Sequence, residues 1–143
     1  MFIYLAGAMT YYDKINKFEL ATRWRDEIIS RLQYTRYENV DYEIFNPCTN
    51  YNINKTFNSR GVVYQNIFYL SKTSLIILNI QDLDKSPGTL FEIYYAFLNH
   101  IPVIAFGTSE LYDMQPHVRA SITMKFDDID QIVEYIENMY SVK

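Results

Sequence analysis

The sequence predicts an α/β protein: a flavodoxin-like, Rossmann-like five-stranded parallel sheet with helices on both faces. Short, largely apolar runs recur at Phe2 to Ala6, Leu75 to Ile80 and Pro102 to Phe106. Strands without a polar face are buried on both sides, which is characteristic of parallel sheets. Between the runs lie segments with apolar residues every three or four positions, the spacing of an amphipathic helix. Strands alternating with helices give a parallel sheet covered on both faces. At 143 residues the chain suffices for one domain with one core, spanning 1–143.

Phe2 to Ala6 reads as the first strand, ended by Gly7. From Lys14 to Gln33, the residues Phe18, Ala21, Trp24, Ile28 and Leu32 mark one helix, with Trp24 on its inner face. Tyr42 to Phe45 is a second strand, stopped by Asn46-Pro47. Cys48 to Asn58 is polar and Asn-rich, a loop over the ligand-binding edge. Gly61 to Leu70 reads as a helix, and Leu75 to Ile80 as the third strand. A helix opens at Ser86-Pro87-Gly88 and ends near Asn99-His100. Pro102 to Phe106 is the fourth strand, ended by Gly107, and Ile122 to Phe126 the fifth. Asp127 to Tyr140 closes the chain as a helix, capped by Asp127 or Asp128, with Ile129, Ile132, Val133 and Ile136 inward.

The bulk numbers narrow the function. A hydrophobic content of 49% supports a packed interior. Net charge is −4 with scattered Lys and Arg, so the basic stripe of a nucleic-acid binder is missing. One cysteine, Cys48, excludes an internal disulfide framework and a cysteine-rich metal site. With two His and no H-E-x-x-H pattern, no metal is expected. No run reaches the length of a membrane span and no signal segment opens the chain, so the expected location is the cytoplasm. No organic cofactor is expected either. Most of the 14 Tyr and 9 Phe are expected as core and surface filler, while a nucleobase pocket would use a few for stacking.

In doubly wound sheets, ligands bind beyond the carboxyl ends of the strands. That directs attention to the loops Gly7 to Asp13, Gln81 to Gly88 and Gly107 to Arg119. Glu92 stands out. It falls in the first turns of the helix that follows the third strand, where the helix dipole favours an ionised carboxylate. An ionised, positioned carboxylate at that edge is what a glycosyl-transferring nucleophile requires.

Three features together resemble a known family. They are Ile3-Tyr4-Leu5-Ala6-Gly7, then Ser86-Pro87-Gly88-Thr89 with Glu92-Ile93 and Ala96, then Ile101-Pro102-Val103-Ile104. Their order and spacing resemble the nucleoside 2-deoxyribosyltransferases, which include the Rcl-type 2'-deoxynucleoside 5'-monophosphate N-glycosidases. The resemblance runs from Phe2 to about Tyr140. It implies that Glu92 attacks C1' and carries the sugar as a covalent ester. It implies that Tyr4 orients Glu92, and that the substrate is a small nucleoside or nucleotide rather than a nucleic acid polymer or a membrane. It also implies a homo-oligomer with shared active sites.

Two positions depart from the family. A sugar-binding Asp is usual six residues before the nucleophile, and here Ser86 stands there, as in the monophosphate N-glycosidases. A hydroxyl can donate to a 5'-phosphate that an Asp would repel. An Asp is also usual near Asn66, which can hydrogen-bond a base but cannot protonate it. Asp82 or Asp84 is the candidate substitute. Gly7 would admit backbone N–H groups to sugar or phosphate, or simply turn the chain. Gly88 is expected to permit close backbone approach or an unusual turn angle. Gln115, His117 and Arg119 match a stretch that reaches a neighbouring subunit's site, where Arg119 would clamp a phosphate or form a surface ion pair. The rival reading is a nucleotide-binding module of the same fold without catalysis. A redox flavodoxin would need a Ser/Thr-rich phosphate loop that Gly7 to Tyr11 does not supply.

Overall fold

A computed structural model describes residues 1–34, 42–50 and 58–140. Its strands are β1 (Phe2–Ala6), β2 (Glu43–Phe45), β3 (Leu75–Asn79), β4 (Val103–Phe106) and β5 (Met124–Phe126). They form one sheet in the order β2-β1-β3-β4-β5, with every pair parallel. The helices are α1 (Thr10–Lys14), α2 (Glu19–Tyr34), α3 (Pro47–Asn50), α4 (Ser59–Ser71), α5 (Pro87–Leu98), α6 (Glu110–Met114), α7 (Pro116–Ser121) and α8 (Ile129–Tyr140). The sequence-predicted α/β fold is therefore the fold observed.

Side chains alternate across each strand, so each strand serves two cores. Ile3, Leu5, Leu75, Ile77 and Ile104 meet Trp24, Ile28 and Leu32 of α2 and Ile132, Val133 and Ile136 of α8. Tyr4, Ala6, Ile76, Leu78 and Ala105 face the other way, against Leu70 of α4, Ile93 and Ala96 of α5 and Val118 of α7. This alternation sends Tyr4 to the same face as α5. Of the stretch Cys48 to Asn58 expected to form a loop over the ligand-binding edge, residues 51–57 lie outside those described.

Several boundaries differ from the sequence reading for local reasons. The single helix expected over Lys14 to Gln33 is broken, because Asn16 adopts a left-handed φ of 54° and α2 starts only at Glu19. Asn is among the few residues that tolerate this conformation. The polar stretch after β2 contains the short α3. Helix α4 starts at Ser59, capped by Asn58, whose Oδ1 accepts the Arg60 N–H at 2.9 Å. Strand β5 is shorter than expected. Helix α8 is capped reciprocally: the Gln131 N–H donates to Asp128 Oδ1 at 3.0 Å, and the Asp127 N–H donates to Gln131 Oε1 at 2.8 Å. Among the described residues, no helix is long and apolar enough to cross a membrane.

Gly7 ends β1 for a steric reason. A Cβ there would stand 3.0 Å from Trp24 Cζ2 and 3.4 Å from both Arg25 Nη2 and the Asn79 carbonyl oxygen. Gly7→Ala should therefore overpack this corner and lower stability by about 1–3 kcal/mol. Urea denaturation would measure it, and an unchanged midpoint would show that Trp24 yields without strain.

Candidate active site

Helix α5 follows β3 through a tight connection: a 3-10 turn at Leu83–Lys85, then Ser86 at the N-cap and Pro87 at the first helical position. Proline is well suited there, since its fixed φ is helical and it lacks an N–H to leave unpaired. The helix buries Thr89, Ile93 and Ala96. Glu92 precedes Ile93 and so sits at the margin of that buried face. The residue as a whole keeps partial exposure, but its Oε2 is sealed from solvent and has no hydrogen-bond partner. Tyr4, rising from β1, lines the same cavity and lies close enough to Glu92 for its hydroxyl to favour the ionised carboxylate. Tyr4 was expected at the end of the first strand; it lies mid-strand, paired with Phe45 and Ile76 and fully buried.

Glu92 and Tyr4 line a cavity of about 270 Å³ at the carboxyl ends of β1 and β3. Gly7, Met9, Thr10 and Tyr11 close it from the β1 loop, and Lys85, Ser86, Pro87, Gly88 and Thr89 from the start of α5. Phe45 and Pro47 come from the end of β2, and Val62, Val63, Gln65 and Asn66 from α4. The volume is near the lower end for small-molecule sites, about 300 Å³.

The electrostatics differ from the sequence expectation. Glu92 lies beyond the first turn of α5, where the dipole fades. Burial dominates instead and pushes its carboxyl up to about 7, against the opposing pull of the Tyr4 hydroxyl and the positive charge of Arg25. The group is thus divided between proton-bearing and ionised forms near neutrality, rather than held ionised by the dipole. Tyr4 is pushed up in turn, first by burial and then by the Glu92 charge.

The structure brings together Glu92, Tyr4, Gly7, Ser86, Gly88 and Asn66 around one cavity. It does not add Asp82, Gln115 or Arg119. Asp82, with a left-handed φ of 54°, accepts the Tyr12 hydroxyl at 2.7 Å and so ties the β3 loop to the β1 loop. Asp82, Asp84 and Gln115 line a separate open groove of about 620 Å³. Neither aspartate lines the Glu92 cavity, so neither stands in for the acid that Asn66 lacks. Arg119 Nη1 donates to the carbonyls of Tyr112 at 3.2 Å and Asp113 at 2.5 Å, closing the end of α6. Ser86 occupies the N-cap, yet its hydroxyl pairs with the Thr89 hydroxyl at 2.6 Å instead of a backbone N–H. Gly88 does not need an unusual turn angle. Its φ is not left-handed, and a Cβ there would meet nothing within 4 Å.

Sequence reasoning missed Phe45 and Pro47 at the end of β2, Val62, Val63 and Gln65 beside Asn66 on α4, Lys85, and Arg25. Arg25 is fully buried on α2. The readable signal was its position four residues after Ala21 and three before Ile28, inside the apolar stripe.

No protein-family model matches the sequence, and no curated protein matches it either. Solved structures do. A conserved protein from Enterococcus faecalis V583 has a TM-score of 0.72 at 14% identity, covering 96% of this chain and 98% of that one. A 2-deoxyribosyltransferase from the psychrotolerant bacterium Bacillus psychrosaccharolyticus has a TM-score of 0.67 at 18% identity, covering 94% of this chain and 92% of that one. The chain has the fold of that transferase. The likeness extends over nearly all of both chains, so the cavity lies within the shared fold.

Glu92 links stability to pH. Between its ordinary value of 4.5 and about 7, the folded protein holds a proton that the unfolded chain has released. Stability therefore falls as pH rises through that window, by about 3 kcal/mol in all. Glu92→Gln should remove this dependence. The variant should match the parent near pH 4 and exceed it by about 3 kcal/mol near pH 8. Chemical denaturation across that range checks it, and parallel stability curves would refute a buried Glu92 proton.

Proposed function

We propose that this protein cleaves the N-glycosidic bond of a 2'-deoxynucleoside or its 5'-monophosphate, with Glu92 as nucleophile. The observation that carries the reading is the Glu92 carboxyl itself: Oε2 has no partner, Tyr4 lies beside the group, and both line a cavity of nucleoside size at the sheet edge. The transferase fold and the family motif around Ser86 to Ala96 support the same reading.

In this mechanism the ionised carboxylate attacks C1'. The C1'–N bond breaks, and its electron pair leaves on the base, which then takes up a proton. The glycosyl ester is opened by a second base or by water, restoring the carboxylate and the original configuration. Asn66 offers the base a donor and an acceptor without protonating it. Thr10, Tyr11, Gln65, Lys85, Ser86 and Thr89 also line the cavity with side chains able to donate a hydrogen bond to the departing base or to a phosphate. Ser86, beside Lys85 at the cavity rim, leans the substrate toward a 5'-phosphate.

Chromatography of reactions with each deoxynucleoside and each 5'-monophosphate, with and without a second free base, tests the reading. Base release should fall about 10³-fold or more in Glu92→Ala. Ser86→Asp should shift preference from monophosphates toward nucleosides. New nucleoside formed only with an acceptor base makes the protein a transferase, and deoxyribose 5-phosphate makes it a hydrolase. Retention of activity in Glu92→Ala would end the proposal, and no base release at all would favour the non-catalytic binding module.

The protein is also proposed to be a homo-oligomer joined through α4 and α5. These helices touch, and their outer faces carry Tyr64 (64% exposed), Phe68 (53%), Phe97 (54%) and Leu98 (75%), with Val63, Phe91 and Tyr94 among them. Exposed apolar side chains gathered on two touching helices are characteristic of an interface. Because Val63 also lines the Glu92 cavity, a second copy seated there would border the site. The protein should sediment as an oligomer, and Phe68→Asp with Leu98→Asp should dissociate it. A wild-type protein that sediments as a single chain would exclude this interface.

A further inference from the structure

Arg25 is the bulkiest of the fully buried side chains among the described residues. Its Nη1 donates to the Ala21 carbonyl at 2.6 Å, Nη2 to the Gly7 carbonyl at 3.0 Å and Nε to the Leu5 carbonyl at 3.5 Å. Its guanidinium carbon lies 4.4 Å from the centre of the Trp24 ring. None of these partners bears a charge. A buried cation held only by neutral groups is expensive to keep, and truncating it to an apolar residue of similar volume would ordinarily be tolerated or favourable. Its field reaches Tyr4 on β1, Cys48 on α3, Tyr12 on α1 and Glu92 on α5. Glu92 is the only carboxyl in that group.

We propose that Arg25 is a positioning residue for the Glu92 chemistry: it binds the carbonyl of cavity-lining Gly7 and so fixes the cavity floor and holds a buried positive charge beside the cavity that Glu92 lines. The proposal rests on reading Glu92 as the nucleophile. Burial alone would keep the Glu92 carboxyl protonated, and a protonated carboxyl is a poor nucleophile. A positive charge inside the same poorly solvated region offsets this, because little water screens it. It does so without bonding to Glu92 Oε2, which stays uncommitted. A direct fork of two hydrogen bonds would have occupied the oxygens that must attack C1'. The same charge favours the free carboxylate over the neutral glycosyl ester, which promotes resolution of that ester.

Gly7 belongs to the same device. A side chain there would crowd both Trp24 and Arg25 Nη2, so glycine is what lets the guanidinium reach the carbonyl of a cavity-lining residue. The charged and titratable groups around Glu92 are then Tyr4 beneath it, Arg25 behind Gly7, and Lys85 and Tyr11 across the cavity.

The test is a titration of the Glu92 carboxyl by carbon-13 NMR in the free protein, beside the pH profile of base release. Arg25→Gln keeps a donor and removes the charge. It should raise the Glu92 midpoint by about one pH unit, move the acid limb of the rate profile equally, and lower kcat at neutral pH more than it alters KM. Arg25→Lys should restore most of both shifts. A Glu92 midpoint unchanged in Arg25→Gln would overturn the proposal, as would a midpoint raised equally in Arg25→Lys. Should the variants fail to fold, the wild-type protein decides. The Arg25 Nε nitrogen resonance should move with the Glu92 midpoint and lose that step in Glu92→Gln, and a resonance indifferent to Glu92 would equally overturn the proposal. These titrations need no substrate, so they remain decisive even if no deoxynucleotide is cleaved.

Discussion

The site depends on one carboxyl placed where water does not reach one of its oxygens. Desolvation is the strongest influence on Glu92, and it pushes the group to about 7. Much else nearby is arranged around that burden. Tyr4 keeps its ring in the core against Phe45 while its hydroxyl end borders the cavity with Glu92. The buried hydroxyl in turn becomes harder to ionise, so it remains a hydrogen-bond donor over the whole neutral range. A carboxylate stripped of water is a stronger nucleophile than a solvated one, and less stable for the same reason.

The topology explains why the cavity opens where it does. In the order β2-β1-β3-β4-β5, the chain leaves β1 toward one edge and leaves β3 toward the other. The connections diverge there, and a crevice is left between the carboxyl ends of β1 and β3. The β1 loop and the start of α5 are its two lips. The Tyr12 hydroxyl on Asp82 ties those lips together at 2.7 Å, which fixes the width of the crevice from outside the cavity. Helix α4 forms the roof. It buries only Leu70 fully and presents an apolar surface both to the cavity and outward.

Much of this was legible in the sequence, where local chemistry and the tertiary outcome coincide. The runs at β1, β3 and β4 are predominantly apolar because they are covered on both faces. Pro87 marked the start of α5, and the spacing from there put Glu92 at the sheet edge. The failures have a common physical cause: each depended on a partner distant in sequence. The dipole argument for Glu92 ignored desolvation by Tyr4 and its neighbours. The helix break at Asn16 left the apolar spacing intact on both sides, so periodicity could not reveal it. Asp82 looked available as an acid until Tyr12 was found bonded to it. Gly88 looked conformationally special, but the open space beside it belongs to the cavity. Arg25 was passed over because a charged residue on a helix is ordinarily solvated, and only the fold shows that the residues around it leave no path to water.

The chemistry open to this cavity follows from how few acids line it. Retaining glycoside chemistry ordinarily uses two carboxyl groups about 5–5.5 Å apart, one to attack and one to protonate the leaving group. Among the described residues, Glu92 is the only carboxyl lining the cavity. Asn66, on the α4 wall, can recognise the edge of a base but cannot hand it a proton. Recognition and activation of the base are therefore separable here in a way that a second carboxyl would not allow. A base that leaves readily on its own, or that already carries a proton, demands least of such a site. In the proposed mechanism, discrimination by Asn66 would act on hydrogen-bond pattern, while the rate at C1' would follow how fully Glu92 is ionised. Turnover would then depend on the state of one buried carboxyl rather than on any second acid.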